Sequence, residues 1–366
     1  MILKLSVVLL RVLVLVSVVI SQVAQAHPAN QTLTESQISQ ELSDLFEQGR
    51  ALVDTGKSAE ALALYQHAAS LDPEDPKIFA AIGYLQARQT NFRAAVEAFQ
   101  QAIALDAKNP DFHHALGFSL ANLGDNSSAV AAYRQAIGLK PNVESYLGLA
   151  TVLFRQGDYP GATEAYRQVL ALEPSNVNAH ESIGLLLIQQ GRLDEAIAIL
   201  QRAAELAPSA SSVQLNMGIA QLRQGDTVAA LTTFERAIAL DPNNSDTYLQ
   251  IGAIQWQSGD LEAALQTFQQ VIRLQPNSLM ARDAIADIYL QKQDTLLAIV
   301  EHRRLLQLDP QHASGYYHLG LALKARGRIK EAIPAFEQAR TLLQQQGKAE
   351  EAQQIETILR ELQERD

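Results

Sequence analysis

Asp283 and Asp287 are the side chains whose spacing most suggests chemistry in this sequence. An i, i+4 separation puts two carboxylates on one helix face. Joined by an imidazole, they would suit a hard or borderline divalent ion such as manganese. Eight histidines are available. His67, His302 and His312 fall on second helices and loops of the pattern described below, and His113 and His180 on core-facing positions, where a hydrogen-bonded core histidine is the commoner outcome. No thiol chemistry is possible, since cysteine is missing; that also removes disulfides, a Cys-ligated metal and a lipid-modified N-terminal Cys. The sequence contains no G-x-x-x-x-G-K-[ST], no H-E-x-x-H, no G-x-S-x-G and no strand-led G-x-G-x-x-G. Asn126-Ser127-Ser128 and Asn243-Asn244-Ser245 fit the glycosylation sequon, but both fall in expected turns, where Asn is common for its own reasons. No residue set supports an enzyme, and no cofactor is expected.

The elements that would position these groups follow from composition and period. The 366 residues are 47% apolar but only 6% aromatic, with Ala, Leu and Gln abundant, which favours helix. Formal charge is −11, and losing Lys4 and Arg11 with a leader would take it to −13. An acidic chain without a basic block argues against nucleic acid, whose phosphates need clustered Lys and Arg.

Met1 to Ala26 reads as a signal peptide. Lys4 gives a positive start, Leu5 to Ile20 is largely apolar, and Ala24-Gln25-Ala26 has the small-x-small cleavage form. The apolar run is shorter than the ~20 residues that span a bilayer comfortably. The expectation is cleavage after Ala26 and a folded part that is secreted or periplasmic. The alternative is an uncleaved N-terminal membrane anchor, since Arg11 interrupts the leader in an unusual place.

The rest of the chain keeps time. Pro73, Pro141, Pro174, Pro208, Pro242, Pro276 and Pro310 are spaced 68, 33, 34, 34, 34 and 34. With each proline at position 32, nine units result: 42–75, 76–109, 110–142, 143–176, 177–210, 211–244, 245–278, 279–312 and 313–346. Position 20 is then Ala61, Ala95, Ala129, Ala162, Ala196, Ala230, Ala264, Ala298 and Ala332. Position 8 is glycine except at Ala150 and Ala286, and position 24 is mostly aromatic, from Tyr65 to Phe336. Apolar residues at positions 4, 7, 8 and 11 make one face of a first helix. Glycine at position 15 suits a left-handed C-cap. A second amphipathic helix follows, and proline ends it. Tiny residues at 8 and 20 let the paired helices approach, and the ring at 24 is expected to fill space toward the next unit. One such hairpin cannot bury its apolar face alone, whereas stacked neighbours can.

Two segments flank the array. Residues 27–41 read as a flexible lead-in whose end, from Glu35, extends the first helix with Thr34 and Gln37 as a capping box. Residues 347–366 carry Ala349, Ala352, Ile355, Leu359 and Leu362 at helical spacing, the polar-backed capping helix that seals a last hairpin.

These residues resemble the tetratricopeptide-repeat (TPR) pattern W-x2-L-G-x2-Y, A-x3-F, P. The last unit reads Tyr316-x2-Leu319-Gly320-x2-Leu323, then Ala332-x3-Phe336. The resemblance covers 42–346 and implies an all-α, right-handed superhelical solenoid of nine helical hairpins. It also implies that first helices line a concave surface through positions 2, 5, 9, 12 and 13. A clamp for chaperone C-termini, with Lys at 5 and Asn at 9, is not implied, because position 5 reads Phe46, Ala80, His114, Leu147, Glu181, Leu215, Leu249, Asp283 and Tyr317.

A second apolar stripe occupies positions 5, 9 and 12 instead. It comprises Tyr84 and Phe118, then Leu147 and Phe154, Leu185 and Ile188, Leu215, Ile219 and Leu222, and Leu249 and Trp256. The functional reading is a groove for a segment of a protein partner. The rival is packing between repeats, since position 12 often touches the neighbouring unit. Position 9 of one TPR unit lies near position 6 of the next, which would bring Asp287 toward His318. That gives the alternative function, a divalent-metal carrier using Asp283, Asp287 and His318. Its own rival is a solvated polar patch in a drifted repeat, for Ala286, Gln293 and His302 replace the usual residues there.

The chain is also similar in character to periplasmic assembly factors of cyanobacteria and related bacteria, some tied to photosystem biogenesis. The likeness implies a non-enzymatic scaffold, associated with membrane proteins from the extracytoplasmic side and serving assembly of a membrane or envelope complex.

Overall fold

A computed structural model describes residues 34–363, and the expected leader and the first part of the lead-in lie outside them. Every regular element among the described residues is an α-helix. None of these helices is long and apolar enough to cross a membrane. The chain divides into two compact units, Met1–Gln156 and Gly157–Asp366.

The first unit contains α1 (Glu35–Asp54), α2 (Ser58–Leu71), α3 (Pro76–Arg88), α4 (Phe92–Leu105), α5 (Pro110–Leu123), α6 (Asn126–Leu139) and α7 (Val143–Arg155). The second contains α8 (Tyr159–Leu172), α9 (Val177–Gln189), α10 (Leu193–Leu206), α11 (Ser211–Gln224), α12 (Thr227–Leu240), α13 (Ser245–Gln257), α14 (Leu261–Leu274), α15 (Leu279–Gln291), α16 (Thr295–Leu308), α17 (Ala313–Ala325), α18 (Ile329–Gln345) and α19 (Ala349–Gln363). Within each unit every helix packs on the next in sequence, the arrangement of a helical solenoid.

Local chemistry sets the helix ends. Several first helices start on Asp or Asn caps: Asp75 accepts from Lys77 N–H, Asn109 from Asp111 N–H and Asn176 from Ala179 N–H. Second helices repeat the device with Asp125, Asp226 and Asp260. Proline at the first helical position of α3 and α5 has its φ already set and no N–H to satisfy. At the start of α1, Thr34 and Gln37 form the reciprocal capping box, so Glu35 to Glu41 is helical rather than a loose lead-in. The turn between paired helices needs a left-handed residue, met by Gly124 at φ 91° and Gly225 at φ 95°. Thr90 and Gln293 hold the same conformation, at φ 60° and 62°, despite their Cβ.

The core is built on small residues. All nine position-20 alanines have no exposed surface. The position-24 ring lies on the position-8 glycine of its own hairpin and also packs toward the next repeat, Tyr65 with Leu85 and Phe268 with Ile285 and Ile288. A Cβ added to Gly83 would come 2.9 Å from Phe99, and one on Gly252 would come 2.9 Å from Phe268. Tyr133 does both, touching Gly117 in its own hairpin and Gly148 on α7. The end of the second unit is closed by α19, which buries Ala352, Ile355, Leu359 and Leu362 against Ala339, Leu342 and Leu343 of α18.

Candidate functional site

The apolar stripe divides by exposure. In the first unit Tyr84, Phe118 and Phe154 are 52%, 47% and 49% exposed, while Leu147 is half-buried. Tyr84 lies under the Arg88 guanidinium, 5.8 Å from ring centroid to carbon, and Phe118 meets the edge of Phe92 at 6.3 Å. Large rings left half in water beside a sealed core are unusual for a stripe that serves only packing.

In the second unit only Leu185 of the expected stripe is well exposed. Ile188 and Leu249 are core residues, which corrects their assignment to an open groove. Ile188 packs with Val213, Met217 and Ala220 of the next first helix, and Leu249 with Phe268, Ile285 and Ile288. Their positions on the helix point at the neighbouring hairpin, the packing alternative weighed from sequence. Leu215, Ile219 and Leu222 are half-buried against Ala230, Phe234 and Ile254. Trp256 is half-buried too: its ring meets Phe268 edge-on at 6.3 Å, and its Nε1–H donates to Gln291 Oε1 at 3.1 Å.

The polar constellation is more compact than the sequence implied. Asp287 on α15 meets His318 on α17, with Oδ1 and Nδ1 2.7 Å apart. His302 on α16 completes the group, its Nε2 3.6 Å from the same Asp287 oxygen. One potential ligand atom from each of the three lies within 4.8 Å of the others. Asp283 stands outside this set: its nearest imidazole is His312, at 4.0 Å. Of the three residues the sequence suggested would converge, Asp287 and His318 do so, whereas Asp283 does not and His302 takes the third place. His302 was missed because it sits on a second helix, away from the face that TPR ligand sites use. The available signal was its position: 24 is a core ring in most repeats, so a polar ring there points inward.

The electrostatics reflect that enclosure. The His302 side chain has no exposed surface. Burial pushes its pKa down to about 4, against the pull of Asp287. Burial also acts to lower His318, but contact with Asp287 and the charge of Asp283 outweigh it and hold that imidazole above its usual range. Asp283 is raised, first by burial and then by the Asp287 charge. Alignment is poor despite the short distances: Asp287 Oδ1, His318 Nδ1 and both nitrogens of His302 are buried without a hydrogen-bond partner. A cleft of about 400 Å³ lined by His312 and Tyr317 opens nearby, and the Tyr317 ring lies tilted beside that of His318, 5.3 Å between centroids. His113 and His180 each donate from Nε2 to a backbone carbonyl, of Ala107 and Pro174, at 2.9 Å, although His180 Nδ1 is also buried without a partner.

Comparison with known proteins agrees with this architecture. Family models described as tetratricopeptide repeat or TPR repeat match residues 49–89, 91–124, 110–143, 147–211, 221–288 and 284–350. No functionally curated protein is similar enough to match. Among solved structures, the C-terminal part of a TPR repeat-containing protein from Cytophaga hutchinsonii superposes with a TM-score of 0.54 at 17% identity, over 65% of this chain and 98% of that one. A tetratricopeptide repeat protein from Parabacteroides merdae gives 0.50 at 18% identity, over 69% of this chain and 99% of that one. These likenesses concern the fold. Stacked hairpins, the alanine–glycine–ring core and the family matches lead to one conclusion: the chain belongs to the tetratricopeptide-repeat family.

Proposed function

We propose that this protein is a non-enzymatic scaffold that works outside the cytoplasm, holding an apolar segment of a protein partner against the first helices of its first unit. A protein-interaction role is the general business of the family; the surface and the place are specific to this reading. The observation that carries it is the exposure of Tyr84, Phe118 and Phe154, each about half in water, on consecutive first helices whose other apolar faces are sealed. Aromatic side chains supply large contact area with little rotamer entropy to lose, which makes them common anchors of an interface. The extracytoplasmic setting rests on the leader-like Met1 to Ala26 segment. Participation in assembling a membrane or envelope complex rests on the resemblance to periplasmic assembly factors.

Two measurements test this reading. Mass spectrometry of the protein recovered from its native cells should give an N-terminus at His27; a retained Met1 would replace secretion with anchoring or cytoplasmic residence. Affinity capture from native membranes should recover a partner with the wild type and lose it with Phe118→Asp plus Phe154→Asp, at unchanged helical content. Undiminished capture by the double variant would remove this face from the binding surface.

A further inference from the structure

We propose that Asp287, His302 and His318 form a three-ligand site for a divalent transition-metal ion of the zinc class, with one coordination position left open. This inference is independent of the partner-binding face, which lies in the other unit.

Ligand type comes first. Two imidazoles and one carboxylate match zinc and its neighbours, whereas manganese favours a shell richer in oxygen. The sequence alone suggested manganese because it counted two aspartates and one histidine; the structure exchanges Asp283 for His302. Geometry comes second. Zinc held at about 2.1 Å by each ligand sets the donor atoms roughly 3.4 Å apart. Asp287 Oδ1 lies 3.6 Å from His302 Nε2 and 2.7 Å from His318 Nδ1, and all three ligand atoms lie within 4.8 Å of one another, so side-chain adjustments of about an ångström would seat the ion.

The third argument is independent of both and concerns His302 itself. Its side chain is fully buried, yet neither ring nitrogen has a hydrogen-bond partner. A buried polar group left this way is costly, and native structures rarely leave one unexplained. The cost is conspicuous here because the corresponding position in most other repeats is an apolar or phenolic ring on a glycine. A drifted repeat would be expected to lose its ring to an aliphatic residue, as at Leu200, which packs on Gly184. It would not be expected to turn an unpaired imidazole toward a carboxylate. An ion bound by the lone pair of His302 Nε2 satisfies that nitrogen, Asp287 Oδ1 and His318 Nδ1 together, leaving only His302 Nδ1 unpaired among them. Asp287 and His318 keep 20% and 27% of their side-chain surface exposed, so the ion can enter and its remaining position faces water.

Zinc binding to the full, untagged chain, stripped with EDTA, tests the site by competition with a chromophoric chelator. The expected result is one equivalent of zinc bound, preferred over manganese, with a rise in melting temperature. Ala286→Gly with His302→Phe restores the glycine–ring pair of other repeats and so preserves folding, while Asp287→Asn changes a partly exposed ligand. Each should weaken zinc by at least ~100-fold, the scale on which metal sites respond to lost partners, and abolish the thermal shift. The cobalt-loaded wild type should show the visible bands of a tetrahedral ion. No stoichiometric zinc in the wild type, full affinity in either variant, or a preference for manganese would overturn the site.

Discussion

Gly218 lies directly under the ring of Phe234: a Cβ built on the glycine would fall 2.5 Å from the nearest ring carbon, and Phe234 has no exposed surface into which to retreat. The same contact recurs between Gly320 and Phe336, where the distance would be 2.7 Å. Gly218→Ala should therefore destabilise the second unit by about 2 kcal/mol, overpacking outweighing the better helix propensity of alanine. Gly138, exposed on α6 with nothing within 4 Å of the missing Cβ, is the control. Gly138→Ala should gain about 0.5–1 kcal/mol. Urea unfolding of the two variants should give shifts of opposite sign, and a neutral Gly218→Ala would mean that the ring is free to move.

Thr90 and Gln293 occupy the left-handed turn position that is glycine in the other seven repeats. A Cβ there is strained by roughly 1–2 kcal/mol, part of which glycine returns through its freer unfolded chain. Thr90→Gly and Gln293→Gly should each raise stability by about 1 kcal/mol. Because the two sites lie in different units, their effects on the denaturant midpoint should add. A loss of stability in either would show that the native side chain contributes more than its backbone strain costs.

His114 on α5 gives the first unit a pH response. It faces Ser145, whose hydroxyl is 3.0 Å from Nδ1, with Glu144 on the same helix as Ser145, Asp111 on its own helix and the Tyr133 ring of α6 at 5.5 Å. Burial lowers its pKa, and the charges of Glu144 and Asp111 only partly oppose this. The unfolded chain thus takes up a proton that the folded one resists. The cost is nil well above the ordinary imidazole pKa of about 6.5 and develops as pH falls from there through the lowered folded value. Between pH 7.5 and pH 5 the wild type should lose more stability than His114→Gln. Equal losses would show that the imidazole is protonated as easily folded as unfolded.

What the sequence revealed, and what it hid, follows from period. A 34-residue repeat names its core by recurrence, so Ala196, Gly218 and Phe234 could be assigned without coordinates. Recurrence says less about positions that face two ways. Ile188 and Leu249 share their places in the repeat with Phe154 and Leu147, yet the former pair is buried and the latter is not. The difference lies in neighbouring side chains, which a single stripe does not specify. His302 was hidden for the converse reason. It breaks the repeat pattern, and a broken pattern resembles decay until Asp287 and His318 are seen converging on it.

The last hairpin depends on α19. That helix covers Leu342 and Leu343 with Ile355 and Leu359, all no more than 5% exposed, and Arg340 pairs with Glu356 across the same boundary. Repeats in a linear array are stabilised mainly by their neighbours, so a terminal one stripped of its cover loses half of its partners. Removing residues 347–366 should therefore unfold α17 and α18 before the rest of the second unit. Hydrogen exchange would report this as lost protection confined to residues 313–346, accompanied by self-association through the uncovered leucines. Replacing Ile355 and Leu359 with Ser should reproduce the pattern at lower amplitude, since the helix remains and only its buried face is weakened. Protection unchanged by the truncation would mean that α17 and α18 hold together through their own packing and that on α16.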